Sequence, residues 1–85
     1  MIPKTETANS SNMLWFSYDP GVLTVAFKSG TYEIRGLIDA DGNPDPSGFP
    51  PEAAQKLLAA HAGGGSVGSH YHHNIKGKYD TKKVS

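Results

Sequence analysis

The stretch MLWFSYDPGVLTVAFKSGTYEIRGL (residues 13–37) alternates apolar and polar residues on both sides of two tight turns, and few folds accept that pattern. In VLTVAFK, Leu23, Val25 and Phe27 fall on one face of an extended chain, and Thr24, Ala26 and Lys28 on the other. In TYEIRGL, Tyr32 and Ile34 share one face while Glu33 and Arg35 take the opposite one. Asp19-Pro20-Gly21 supplies the first turn, with Pro fixing φ and Gly free to take φ > 0. A two-residue Ser29-Gly30 turn then pairs Phe27 with Tyr32 and Val25 with Ile34. Three antiparallel strands result, 13–18, 22–28 and 31–37, with one apolar face that a helix must cover.

PEAAQKLLAAHA (residues 51–62) reads as that helix. Pro51 suits the first turn, Glu52 suits the positive end of the dipole, and Ala54, Leu57, Leu58 and Ala62 form an apolar stripe. Gly63–Gly65 end it. Ser66 can cap a second helix running to about Lys76, with Val67, Tyr71 and Ile75 spaced by four along one side. The expected fold class is α+β: a three-stranded antiparallel β-meander packed against one or two C-terminal helices. Its expected core is Leu23, Val25, Phe27, Tyr32, Ile34, Leu57 and Leu58. Around this unit, residues 1–9 (MIPKTETAN) show no periodicity and read as a flexible leader. Residues 38–50 (IDADGNPDPSGFP), rich in Asp, Gly and Pro, read as a surface loop, and residues 80–85 as a basic tail.

A chain of 85 residues is one domain that buries only about 60–65% of its unfolded surface. So thin a core predicts a homo-oligomer. There is no cysteine, which removes disulfides and thiolate metal sites and suits a reducing, cytoplasmic location. The longest apolar runs, Met13–Phe16 and Val25–Phe27, are too short for a signal-peptide core or a membrane span, so no membrane partner is expected. Eight basic and eight acidic residues leave zero net charge, which counts against a broad nucleic-acid footprint.

GGGSVGSHYHHNIKGKY (residues 63–79) is the segment where chemistry concentrates. Gly63, Gly65 and Gly68 match the letters of a dinucleotide fingerprint, but that fingerprint works only between a strand and a helix, and here a helix precedes it. Gly63 and Gly68 have Walker A spacing, yet Ser69 and His70 stand where Lys and Ser or Thr are required. DADGNPD at 39–45 has some calcium-loop spacing, but Pro44 and Pro50 occupy the positions that need Gly and Glu. His70, His72 and His73 splay apart on a helix, so no structural metal or cofactor is expected. With no cysteine nucleophile and no evident Ser–His–acid set, the chain does not read as an enzyme.

What the segment does offer is donors. Ser66, Gly68 and Ser69 open the second helix with hydroxyls and backbone N–H groups. His70, Asn74 and Lys78 run along one side, and His72 and Lys76 form a neighbouring row. With Arg35 from the third strand and Tyr79 as a stacking ring, these residues predict a site for a small phosphorylated ligand. Histidines that charge between about pH 8 and pH 6 would tighten phosphate binding in that window.

Several short motifs in order also carry a family likeness. SSN (10–12), Phe16, YDP (18–20), the L-x-V-x-F of Leu23, Val25 and Phe27, Gly30, Tyr32, Pro51, Leu57, Ala60, Ser66-x-Gly68, Asn74-Ile75 and Tyr79 resemble the KTSC domain over residues 10–79. That domain is named for the C-terminus of some lysyl-tRNA synthetases and also stands alone in bacterial and phage proteins. The resemblance implies a small α+β domain, with RNA binding suggested by the synthetase context. It also implies that Phe16 and Tyr18 face the core and Trp15 points away from it, near Thr24, Ala26 and Arg35, which predicts that Trp15 contributes to the interface of the expected homo-oligomer. Three departures stand out: Ile34 replaces the second aromatic of the family's Tyr-x-Tyr, residues 38–49 are inserted before the helix, and His72 stands where the family often carries Asn. The function expected is a non-catalytic module for a nucleotide or cyclic-nucleotide signal, suited to sensing or sequestering it. An RNA-binding module and a protein-interaction module are the alternatives.

Overall fold

The computed structural model describes residues 1–7, 13–64 and 67–85. The chain forms strands β1 (Ile2–Glu6), β2 (Met13–Asp19), β3 (Val22–Phe27) and β4 (Gly30–Leu37), then helices α1 (Pro51–Ala62) and α2 (Val67–Asn74), then strand β5 (Tyr79–Lys83). The strands make one antiparallel sheet in the order β1-β2-β3-β4-β5. The α+β class and the central three strands are as the alternation predicts, and two edge strands extend the sheet to five.

Both added strands correct the reading of the chain ends. In the segment expected to be a flexible leader, Ile2–Glu6 pairs with β2, Ile2 opposite Tyr18 and Glu6 opposite Trp15. Only Ile2 of this strand is buried, and the register shifts between Ile2 and Thr5, so no apolar alternation announces it. Beyond β1, the buried Thr7 bonds to the start of β2: its hydroxyl donates to the Met13 carbonyl and its N–H to the Leu14 carbonyl at 3.1 Å. At the other end, the expected basic tail supplies most of β5, with Lys82 opposite Glu33, a favourable cross-strand charge pair.

The β3–β4 register also differs from expectation. Lys28-Ser29 forms the turn, so Val25 pairs with Tyr32 and Leu23 with Ile34. Gly30 opens β4 directly opposite Phe27 at φ 149°, a conformation that side-chain-bearing residues avoid. The offset from the predicted pairing is two residues, so every side chain keeps its face.

That inward face carries the core: Met13, Phe16, Tyr18, Leu23, Val25 and Ile34 from the sheet meet Ala54 and Leu57 of α1, Val67 and Tyr71 of α2, and Ile75. Phe27, Tyr32 and Leu58, predicted as core, are partly buried against it. Val25 is fully buried, so Val25→Ala is expected to cost about 1–3 kcal/mol through lost transfer energy and the cavity left behind, read as a lower denaturation midpoint.

Residues 38–50 do form an exposed excursion, but its last part is anchored. Phe49, 1% exposed, inserts its ring against Tyr18 and Tyr79. Its carbonyl accepts the Tyr18 hydroxyl at 3.0 Å and its N–H donates to the Gly21 carbonyl at 2.9 Å. The acids earlier in the loop shape turns: Asp39 Oδ1 accepts the N–H groups of Asp41 and Asn43, and Asp45 Oδ1 accepts from Ser47.

α2 is two residues shorter at its C-terminus than predicted. The Ile75 and Lys76 N–H groups both donate to the Tyr71 carbonyl, and Gly77 at φ 81° turns the chain into β5. Val67, Tyr71 and Ile75 are all buried, as their spacing of four requires. Ser66 and the SSN motif at 10–12 lie outside the described residues.

Candidate functional site

α2 packs Tyr71 against Phe27 on the inward face of the sheet, and beside this contact lies an open groove of about 930 Å³. Three elements build it. The β3–β4 hairpin contributes Phe27, Lys28, Ser29 and Tyr32. α2 and the turn after it contribute Gly68, Ser69, Tyr71, His72 and Lys76, and β5 contributes Tyr79, Asp80 and Thr81. The floor is aromatic: the Phe27 ring lies 5.9 Å from Tyr32 and 5.1 Å from Tyr71, and Tyr79 packs on Phe49 at 4.9 Å. Lys28, His72 and Lys76 bring positive or protonatable nitrogen, against the single carboxylate of Asp80.

Of the residues predicted from sequence, Gly68, Ser69, His72, Lys76 and Tyr79 are brought together here. His70 and Asn74 are not. Turned about a hundred degrees per residue around the helix, they border a separate cleft against α1. Arg35 lies on the opposite sheet face, because Ile34 beside it points inward; its guanidinium donates to Glu33 Oε1 at 2.8 Å. Lys78 is exposed and borders neither cavity, and Ser66 lies outside the described residues. Sequence reasoning missed Lys28, Tyr32 and Tyr71 as groove residues. The signal for the tyrosines was present, since Tyr32 and Tyr71 both read as inward, whereas Lys28 reaches the groove because the turn falls at Lys28-Ser29 and not at Ser29-Gly30.

The histidines serve different surroundings. His61 sets its ring edge-on to Phe16 at 6.1 Å, and His72 and His73 contact each other at 5.4 Å. Among the described residues no three His, Cys, Asp or Glu side chains converge on a metal-sized point. Trp15 does point away from the core. It sits opposite Ala26 and Glu6 on the uncovered sheet face, half-buried, with Lys4 Nζ 4.9 Å from its ring centroid.

Tyr71 has an electrostatic consequence. Burial, and then the neighbouring Tyr32, raise the Tyr71 pKa above the ordinary phenol value of 10.0, so its hydroxyl stays protonated and available as a donor. A group with a raised folded pKa contributes stability that is complete below the unfolded value and disappears as pH rises through the folded one. Thermal midpoints should therefore fall as the pH rises above about 10, and Tyr71→Phe should flatten that fall relative to the parent. An unchanged alkaline profile in the variant would show that Tyr71 ionises as freely folded as unfolded.

Compared with known protein families and with curated proteins, the chain finds no match.

Proposed function

We propose that the chain is a non-catalytic binding module whose groove holds a compact phosphorylated ligand with an aromatic part, such as a nucleotide or cyclic nucleotide. The observation that carries this reading is the pairing of an aromatic floor (Phe27, Tyr32, Tyr71, Tyr79) with Lys28, His72 and Lys76 in one groove. A base finds faces to stack on, and a phosphate finds charged donors from two sides. The volume lies within the range of about 300–1,000 Å³ common for small-molecule sites. Zero net charge supports a small anion over a polymer, since a few phosphates need only local positive charge. The resemblance to the KTSC domain, and a sensing or sequestering role in a bacterial or phage setting, belong to this same proposal. So does association with a second copy, for which exposed Leu14, Leu37 and Ile38 offer apolar surface.

Calorimetric titration with purine and pyrimidine mononucleotides and cyclic mononucleotides tests the groove. His72→Ala combined with Lys76→Ala should weaken binding by at least about tenfold, since charge-assisted hydrogen bonds contribute about 1.5–3 kcal/mol each. Both side chains are exposed, so the melting temperature should hold. The logarithmic dependence of affinity on salt should be shallow. A steep slope with oligoribonucleotides and none of these effects with mononucleotides would favour the RNA-binding reading instead.

A further inference from the structure

The cleft bordered by His70 and Asn74 has its own chemistry. It encloses about 260 Å³ between α1 and α2, below the range of sites for drug-sized ligands. Its apolar wall is Ala53, Ile75 and the Tyr79 ring; its polar rim is Glu52, Lys56, His70 and Asn74. Asn74 Nδ2 donates to the His70 carbonyl at 3.0 Å and stands 3.5 Å from the ring Nδ1. The tautomer that lets Nδ1 accept from this amide carries the proton of the neutral ring on Nε2. Partial burial, and then the nearby Lys56 ammonium, hold the His70 pKa below its ordinary value and favour that neutral ring.

Glu52 and Lys56 stand one helical turn apart, the spacing at which opposite charges on a helix pair. Among the described residues, no ion pair joins them. With a neutral imidazole the rim carries one negative and one positive charge. An anion alone would meet the repulsion of Glu52, and a cation alone that of Lys56. A molecule with both charges a few bonds apart satisfies the two together.

We infer that this cleft binds the zwitterionic head of a small α-amino acid. The carboxylate lies on Lys56 and the His70 Nε2–H, the ammonium lies on Glu52, and the side chain turns toward Ala53, Ile75 and Tyr79. The site shares only Tyr79 with the groove and does not rest on what the groove holds.

Amide-resolved NMR titration of the full chain with L-alanine tests the assignment, with propionate and ethylammonium as analogues carrying one charge each. L-Alanine should give saturable shifts at Ala53, His70 and Asn74, and each analogue should bind at least about tenfold more weakly. Lys56→Ala and Glu52→Gln should each weaken alanine binding by at least about tenfold, while mononucleotide binding stays at the parent value and each variant still melts in one cooperative transition. Absence of saturable alanine shifts at these residues overturns the inference. So does propionate or ethylammonium binding as tightly as alanine, or parent-like alanine affinity in either variant.

Discussion

Phe49→Ala is expected to lower stability by about 3–5 kcal/mol, the range for deleting a buried aromatic side chain. In a chain of 85 residues, whose total stability should fall near 4–13 kcal/mol at about 0.05–0.15 kcal/mol per residue, that is a large fraction. The size follows from position. The Phe49 ring contacts Tyr18 at 6.2 Å and Tyr79 at 4.9 Å, so its removal opens a cavity between β2 and the start of β5. The same residue fixes the loop's end through its carbonyl and N–H, and a loosened backbone weakens the bonds to the Tyr18 hydroxyl and the Gly21 carbonyl. Tyr79 lines the ligand groove, so the effect reaches function as well. A fall in the thermal midpoint of at least about 12 °C is expected at roughly 4–8 °C per kcal/mol. A fall of only a few degrees would mean that the ring packs loosely and that the site collapses around its loss.

Phe49 also shows where the sequence stops being legible. The central strands could be read because burial on one face forces alternation, and Leu23, Val25 and Ile34 obey it. Phe49 stands in a run of Gly, Pro and Asp with no apolar neighbour in the period, so only tertiary contact identifies it as core. The edge strands evade reading for a related reason. β1 buries Ile2 alone, and β5 leaves Thr81, Lys82 and Lys83 exposed, so both are held by backbone pairing, which imposes little on side-chain type. The site was partly legible. Spacing by four placed Val67, Tyr71 and Ile75 inward and thus fixed which histidines could face outward. It did not say which neighbours flank each side of α2, and so the split of His70 and Asn74 from His72 and Lys76 could not be seen. Arg35 is different: the parity that turns Ile34 inward already placed Arg35 away from the helices.

Gly36→Ala is expected to be strongly damaging although it adds only a single methyl group. Gly36 has an ordinary negative-side backbone conformation, so alanine meets no conformational penalty there. The obstacle is space. A Cβ at Gly36 would lie 2.1 Å from the Asp45 carbonyl oxygen and 2.8 Å from its nitrogen, and both are backbone atoms that no rotamer change can move. Either β4 or the loop must give way. The loop is the weaker partner, held to β4 near this point by the Asp45 N–H donating to the Leu37 carbonyl at 2.9 Å and by the Ile38–Pro44 bridge. Overpacking of this kind typically costs about 1–3 kcal/mol and can cost more where only backbone is available to yield. Gly42→Ala supplies the control. Gly42 sits in the same loop with nothing within 4 Å of its Cβ position but a φ of 85°, so alanine there meets conformational strain without a clash. That strain alone should cost about 1 kcal/mol. Hydrogen exchange at the Asp45 amide should accelerate strongly in Gly36→Ala and little in Gly42→Ala, with the larger fall in melting temperature also in Gly36→Ala. If Gly36→Ala kept parent-like protection at Asp45 and melted no lower than Gly42→Ala, the loop would not rest on β4 as described, and the anchoring of Phe49 beneath it would have to come from the Gly21 and Tyr18 contacts alone.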